Sequence, residues 1–229
     1  MTTEGQPRVR VLIVDDHAVV RRGLREMLRQ EPDLEVCAEA EDIADAVQLV
    51  ETERPGLMIV DIALRHGHGL ELIKQVIARF PETRILVFSM HSEWLYAERA
   101  LRAGASGYVS KHEPIENLME AIRRVLAGGV HLSDRSANHV LGRLVGRRRT
   151  SDQPSLEQLS DRELEVLNLL GRGQGTREIA GHLSLSPRTI DAHRENIKKK
   201  LGLNTAAELF QFAVLVTHEK LGTRPEPPG

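Results

Sequence analysis

Five short runs of almost uninterrupted apolar residues punctuate the first half of the chain: VRVLIV (9–14), LEVCAEA (34–40), GLMIVD (56–61), RILVFS (84–89) and SGYVS (106–110). Between them lie stretches with apolar residues at helical spacing, at about 18–29, 42–53, 69–79, 93–103 and 115–127. Runs that are apolar at nearly every position suit strands buried on both faces, and strict alternation with helices predicts a parallel sheet covered on each side. The expected architecture is therefore α/β, a doubly wound (βα)5 unit of the flavodoxin-like type with strand order 2-1-3-4-5.

Gly128-Gly129 closes the last of these helices, as glycine does at a helix C-terminus. A further helix is predicted at about 134–145, and the polar segment RRRTSDQPS, with Pro154, reads as an interdomain linker. Beyond it the pattern is wholly helical. Ser160 with Glu163 forms a capping box opening a helix to about 172; further helices follow at about 176–183 and 187–201, and Thr205 with Glu208 opens one to about 217. The predicted division is a disordered 1–8, an α/β domain at 9–128, a linker with a helix at 129–154, a smaller all-α four-helix domain at 155–218, and a disordered tail at 219–229.

At 229 residues two domains are the better expectation. No stretch approaches the roughly 18 to 20 apolar residues of a membrane span, and no charged leader precedes a long apolar run, so a cytoplasmic protein without membrane contact is expected. Cys37 is the sole cysteine and reads as a small buried strand residue. Charge is uneven: residues 1–130 carry 16 basic and 21 acidic side chains, residues 131–155 five arginines against Asp134 and Asp152, and the last 74 residues balance at ten of each. DNA binding, if present, must come from local placement of charge.

Asp15 and Asp16 follow the first strand and Asp61 ends the third. In an open α/β sheet, ligands bind at the carboxyl ends of strands where strand order reverses, here between strands one and three. Carboxylates crowded there repel one another and call for a hard cation, Mg²⁺ above all. Asp61 could then act as a nucleophile that forms an acyl phosphate. Lys111, just past the fifth strand, could neutralise phosphate oxygens, and Ser89, ending the fourth, offers a hydroxyl. Singly, each has a bland reading: Asp16 as a helix N-cap, Lys111 as a surface charge, Tyr108 as core or rim. The combination on four strand ends is what points to a phosphoryl site.

With VLIVDDH, MIVDIAL, VFSMH and AGASGYVSK in order, residues 9–128 resemble the receiver domains of two-component systems. The resemblance implies Asp61 as phosphoacceptor, Asp16 and Asp61 as direct Mg²⁺ ligands with Asp15 close by, and a further metal ligand in the carbonyl of Ala63. It also implies Ser89 and Tyr108 as the switch pair, with phosphorylation shifting a population between states. Two positions depart from the family's pattern: Arg65 and His112 stand where proline is frequent, so the loop RHGHG differs in composition and phosphoryl lifetime does not transfer.

Residues 176–201 read as helix, turn, helix. Ser186 is a good N-cap and Pro187 fits the first helical position. At 100° per residue Ile190, Ile197 and Leu201 share a buried stripe, while Arg188, Ala192, Glu195, Asn196 and Lys199 face away and would enter a major groove. An ordinary solvated amphipathic helix has the same composition, but the whole stretch from LSDRELEVLNLLGRGQGTREIAGHL to IKKKLGL resembles the LuxR-type DNA-binding domain. Joined to a receiver it is identified as a member of the NarL/FixJ family. The resemblance implies Asp191, Ala192 and Glu195 at base-reading positions and Thr176, Arg177, Arg188, Thr189, Asn196 and Lys199 nearer the phosphates. It further implies a sensor histidine kinase and double-stranded DNA as partners, and a homodimer formed when phosphorylated. The last helix, with Leu209, Phe210, Ala213, Val214 and Val216, either completes a small core or also dimerises. The function expected is a DNA-binding transcriptional regulator, not an enzyme; the alternatives are an unphosphorylated interaction module and a phosphatase working through an aspartyl phosphate, with His66 and His68 nearby.

Overall fold

A computed structural model describes residues 8–64, 67–144 and 156–218. Arg65 and His66, the segment 145–155 with Arg147, Arg148, Arg149 and Pro154, residues 1–7 and the tail 219–229 lie outside the described residues, and with them the expectations placed there. The chain divides into two compact units, Met1–Arg147 and Arg148–Gly229.

In the first unit the strands are β1 (Val9–Val14), β2 (Leu34–Ala40), β3 (Leu57–Val60), β4 (Ala63–Leu64), β5 (Gly67–His68), β6 (Arg84–Ser89) and β7 (Gly107–Ser110). Its helices are α1 (Ala18–Leu28), α2 (Ile43–Glu53), α3 (Gly69–Arg79), α4 (Glu93–Ala103), α5 (Ile115–Leu126) and α6 (Asp134–Leu144). The five long strands form one parallel sheet in the order β2-β1-β3-β6-β7. This is the expected 2-1-3-4-5 topology; the two-residue strands β4 and β5 pair antiparallel immediately after Asp61, an addition that two residues cannot announce by periodicity.

Alternate residues on the strands serve opposite faces. Val11, Ile13, Leu57, Ile59, Leu86, Phe88 and Val109 pack with Leu24 and Leu28 of α1 and Leu118, Ile122 and Val125 of α5. On the strands their neighbours Leu12, Met58, Val60 and Val87 are also fully buried. With both faces closed, each such side chain contributes roughly 1.5–3 kcal/mol of apolar burial, and the apolar runs of the sequence follow directly. Cys37 is only half buried, its thiol donating to the carbonyl of Val11 at 3.4 Å.

Register positions the chemistry. Val14 pairs with Val60 and the amide of Asp61 donates to the carbonyl of Val14 at 2.9 Å, which sets Asp15 beside Asp61. Ser89 pairs with Ser110, and the amide of Lys111 donates to the carbonyl of Ser89 at 2.9 Å. After α5 the chain returns along β7, where Tyr108 N–H donates to the carbonyl of His131 at 2.9 Å. Gly107 permits that approach: a Cβ there would stand 2.9 Å from the same oxygen.

The second unit contains a short 3-10 turn (Leu156–Gln158) and α7 (Asp161–Gly171), α8 (Thr176–His182), α9 (Pro187–Leu201) and α10 (Ala206–His218). The Ser160–Glu163 capping box forms with both arms in place. At the start of α10, Glu208 N–H donates to Thr205 Oγ1, and the Glu208 carboxylate reaches back to accept from the amide of Asn204 at 2.8 Å. Leu209, Ala213 and Val216 are buried. Phe210, one of the residues left between core and dimer face, is 48% exposed. Among the described residues no helix is long and apolar enough to cross a membrane.

Candidate functional site

Four strand ends converge on one buried pocket. Ser89 Oγ donates to Asp61 Oδ1 at 2.6 Å, Lys111 Nζ donates to Asp61 Oδ2 at 2.5 Å, and the same ammonium donates to Asp15 Oδ2. Asp15, Asp61 and Ser89 are almost wholly buried. The amide of Ala63 donates to Asp61 Oδ1 at 3.2 Å and that of His91 to Ser89 Oγ at 3.2 Å. The Asp61 side chain is thus held from both sides by strand-end groups whose backbone is fixed by the sheet.

Burial first, then the neighbouring charge of Asp61, holds the Asp15 carboxyl above its ordinary value of 3.8, although Lys111 pulls the other way. For Lys111, burial works against the charge, but the two carboxylates outweigh it and raise the ammonium above 10.5. The two directions describe one arrangement: a single ammonium shared by two carboxylates is firmly charged, and Asp15 bears the unmet repulsion.

Asp15 and Asp61 come together as expected, but the third group able to turn a ligand atom into the cluster is His17, not Asp16. One ligand atom each from Asp15, His17 and Asp61 lie within 4.8 Å of one another. Asp16 Oδ1 is instead 2.7 Å from His17 Nδ1. His17 occupies the N-cap of α1, the place the bland reading gave Asp16, and makes no side-chain cap there. Three carboxylates against one ammonium leave two negative charges in excess, which one divalent cation would balance.

The Tyr108 ring is 1% exposed and its hydroxyl donates to the carbonyl of His91 at 3.0 Å. Since the His91 amide bonds Ser89, the two expected switch residues are joined through one residue. Three supporting groups escaped the sequence reading. Arg21 is 8% exposed and donates to the Asp15 carbonyl at 2.6 Å. His91 carries the Ser89–Tyr108 connection. Gly69 lies so close under Asp61 that a Cβ would stand 2.2 Å from its carbonyl oxygen. Gly69 had a signal, a glycine opening a helix eight residues after Asp61; Arg21 looked like any helix cation. His112, exposed, donates its amide to Ser110 Oγ at 3.3 Å.

In the second unit, α8 and α9 are joined by a turn containing Ser184 at φ +52°. Ser186 caps α9 by accepting from Thr189 N–H at 3.1 Å, Pro187 is its first residue, and Gly202 in the left-handed region ends it. Ile190, Ile197 and Leu201 are buried, whereas Arg188, Asp191, Ala192, Glu195, Asn196 and Lys199 are exposed. Arg177 is exposed, and Thr176 and Thr189 are half buried. Lys200 turns back to Glu163 at 2.7 Å and Lys198 to Glu195 at 2.9 Å. Burial pushes the His193 imidazole below 6.5, so it adds no charge at neutral pH.

The family model for the response regulator receiver domain matches residues 11–123, and that for bacterial regulatory proteins of the luxR family matches residues 157–213. The oxygen regulatory protein NreC of Staphylococcus carnosus is 35% identical over 210 residues, covering 90% of this chain and 97% of that protein. A solved structure of the RcsB response regulator of Salmonella typhimurium, described for its conformational dynamism for DNA interaction, is 26% identical. It covers 93% of this chain and 100% of its own, with a TM-score of 0.66. RcsB bound to promoter rprA in the presence of the phosphomimetic BeF3- is 26% identical over 90% of this chain and 98% of its own, with a TM-score of 0.60.

Proposed function

The chain belongs to the NarL/FixJ family of DNA-binding two-component response regulators, a receiver joined to a luxR-type helix-turn-helix domain, and from that membership we propose that it is switched by phosphorylation of Asp61. The observation that carries this reading is the buried contact of one carboxylate with both Ser89 and Lys111, at 2.6 and 2.5 Å.

A sensor histidine kinase is the proposed donor. The phosphorus–nitrogen bond of its phosphohistidine breaks as a phosphorus–oxygen bond forms to an Asp61 carboxylate oxygen, and the freed imidazole takes up a proton. Lys111 neutralises the phosphoryl oxygens and Ser89 transfers its hydrogen bond to one of them, positioning rather than reacting. The pocket fits Mg²⁺, which the carboxylates of Asp15 and Asp61 would hold, with Asp16 and the Ala63 carbonyl proposed as further oxygen ligands; the His17 nitrogen is the poorer donor for so hard an ion. When bound, the ion would offset the charge that gathers in transfer. Since Ser89 and Tyr108 are linked through His91, redirecting the Ser89 hydroxyl biases the position of that loop. Phosphorylation then favours a homodimer that places two copies of α9 on double-stranded DNA in the cytoplasm, the chain itself turning over no substrate.

Proposed phosphate contacts are the backbone amide of Thr176 and the side chains of Arg177, Arg188, Thr189, Asn196 and Lys199, with Asp191, Ala192 and Glu195 toward the bases. The test is Asp61→Asn. Incubated with acetyl phosphate and Mg²⁺, the wild type should incorporate phosphate and bind DNA at lower protein concentration, and the variant should do neither. Equal incorporation by both proteins would place the acceptor elsewhere.

A further inference from the structure

We propose that Asp191 sets base specificity by accepting a hydrogen bond from the exocyclic amino group of a cytosine in the major groove, and that Thr176 and Arg194 hold it in position for this. The inference rests on the DNA-binding reading of α8 and α9.

In a helix-turn-helix the N-terminal part of the second helix reaches the base edges. In α9 the exposed residues of that part after Pro187 are Arg188, Asp191, Ala192, Glu195 and Asn196. Ala192 has no polar group, and Glu195 is engaged by Lys198 at 2.9 Å. Asp191 differs. Its side chain is 64% exposed, and the nearest cation, Arg194, stays 3.9 Å away. That guanidinium instead donates to Thr176 Oγ1 at 2.7 Å, and the Thr176 hydroxyl in turn donates to Asp191 Oδ1 at 3.4 Å. One carboxylate oxygen is therefore steered from α8 while the group keeps its exposure. A steered carboxylate is pre-organised and loses little freedom on docking.

An ionised carboxylate only accepts. In the major groove guanine offers N7 and O6 and thymine O4, all acceptors that repel it. Adenine offers an amino group beside the acceptor N7, so one carboxylate oxygen gains what the other loses. Cytosine offers an amino group with no acceptor on its own edge. Cytosine is thus the base whose pattern matches. The competing role for an acidic residue at such a surface is plain repulsion of phosphate, which weakens binding to every sequence alike.

The full-length protein, with phosphodonor present, is used to select duplexes from a pool with a randomised centre. The wild type should enrich cytosine at one position of each half-site. Asp191→Ala should bind that selected duplex about tenfold more weakly and lose preference at that position alone, while Asp191→Asn should move the preference to adenine, which an amide reads through N6 and N7. Thr176→Ala should flatten the cytosine preference and Thr176→Ser, which keeps the hydroxyl, should retain it. Tighter binding of Asp191→Ala to all duplexes with base preferences unchanged would show repulsion and overturn the proposal. So would retained cytosine preference in Asp191→Ala, whose side chain has no acceptor. A wild-type pool without any enriched sequence would instead overturn the DNA-binding reading beneath it.

Discussion

Asp61 and Asp191 carry the same side chain into opposite surroundings. Asp61 is 3% exposed, ends a central strand, and has both carboxylate oxygens bonded, one to Ser89 and one to Lys111. Asp191 lies on the open face of a helix with a 64% exposed side chain and one long contact from Thr176. In the pocket every group is fixed by another that is itself fixed by strand register, so few residue types satisfy the site and its chemistry is shared across a family. On α9 the fold requires only Ile190, Ile197 and Leu201; the outward residues are free of packing and can differ between relatives. Chemistry is placed where the fold constrains residues most, and discrimination where it constrains them least.

The largest effect that can test this contrast comes from removing the cation in the pocket. Lys111→Ala leaves Asp15 and Asp61 buried and facing each other, and breaking a buried pair from one side costs about 3–5 kcal/mol. Trp94, the sole tryptophan, lies on α4 and reports the first unit. Urea unfolding followed by its fluorescence should show the loss at pH 7. Asp15 already has a folded pKa above its unfolded one, a condition whose stability is present at low pH and lost as pH rises through the folded value. The variant should therefore recover on acidification and, at neutral pH, on adding Mg²⁺. A variant as stable as the wild type without Mg²⁺ would mean that the pocket does not constrain its carboxylates.

How much of this could be read in the sequence follows the same division. The five strands and their order were legible because both-face burial leaves no polar position in runs such as LMIV and ILVF. Asp15, Asp61, Ser89 and Lys111 could be grouped because strand ends in a parallel sheet share one edge. The exchange of Asp16 for His17 in the cluster could not be read, since adjacent residues after a strand diverge by side-chain rotamer, which spacing does not encode. Arg21 was hidden by its helix pattern, its burial being decided by the loop above it. The place of Phe210 was left open because an apolar residue on a terminal helix has no sequence mark that separates core from open surface.

A smaller effect distinguishes the two units. The Glu163 carboxyl is held below its ordinary 4.5: burial opposes the charge, but the Lys200 ammonium and the hydrogen bonds at Ser160 outweigh it. A depressed carboxyl contributes stability above its unfolded pKa and loses it as pH falls through the folded value, so this contribution fades below about pH 4.5. Glu163→Gln should cost the second unit about 1 kcal/mol at pH 7, the scale of a helix cap, since the Lys200 partner is substantially exposed and screened. The loss should appear in the helical circular dichroism transition and flatten its acid limb, while Trp94 fluorescence stays in place. A matching shift in Trp94 fluorescence would show that the units do not unfold separately.

The smallest expected effect is that of a phosphate-facing lysine on the reading face, where two kinds of residue should fail differently. Lys199 is exposed on the last turn of α9, its cation available to a phosphate. Each phosphate neutralised releases condensed counterions, so the logarithm of affinity falls with the logarithm of salt by about 0.9 per contact. Lys199→Ala should weaken binding only a few-fold, equally for selected and unselected duplexes, and reduce the salt slope by about one. Asp191→Ala should do the reverse, altering base preference at one position while leaving the slope nearly unchanged. If Lys199→Ala altered base preference instead, the division of α9 into positioning and reading residues would be wrong, and the freedom of its outward face would serve affinity and specificity through the same groups.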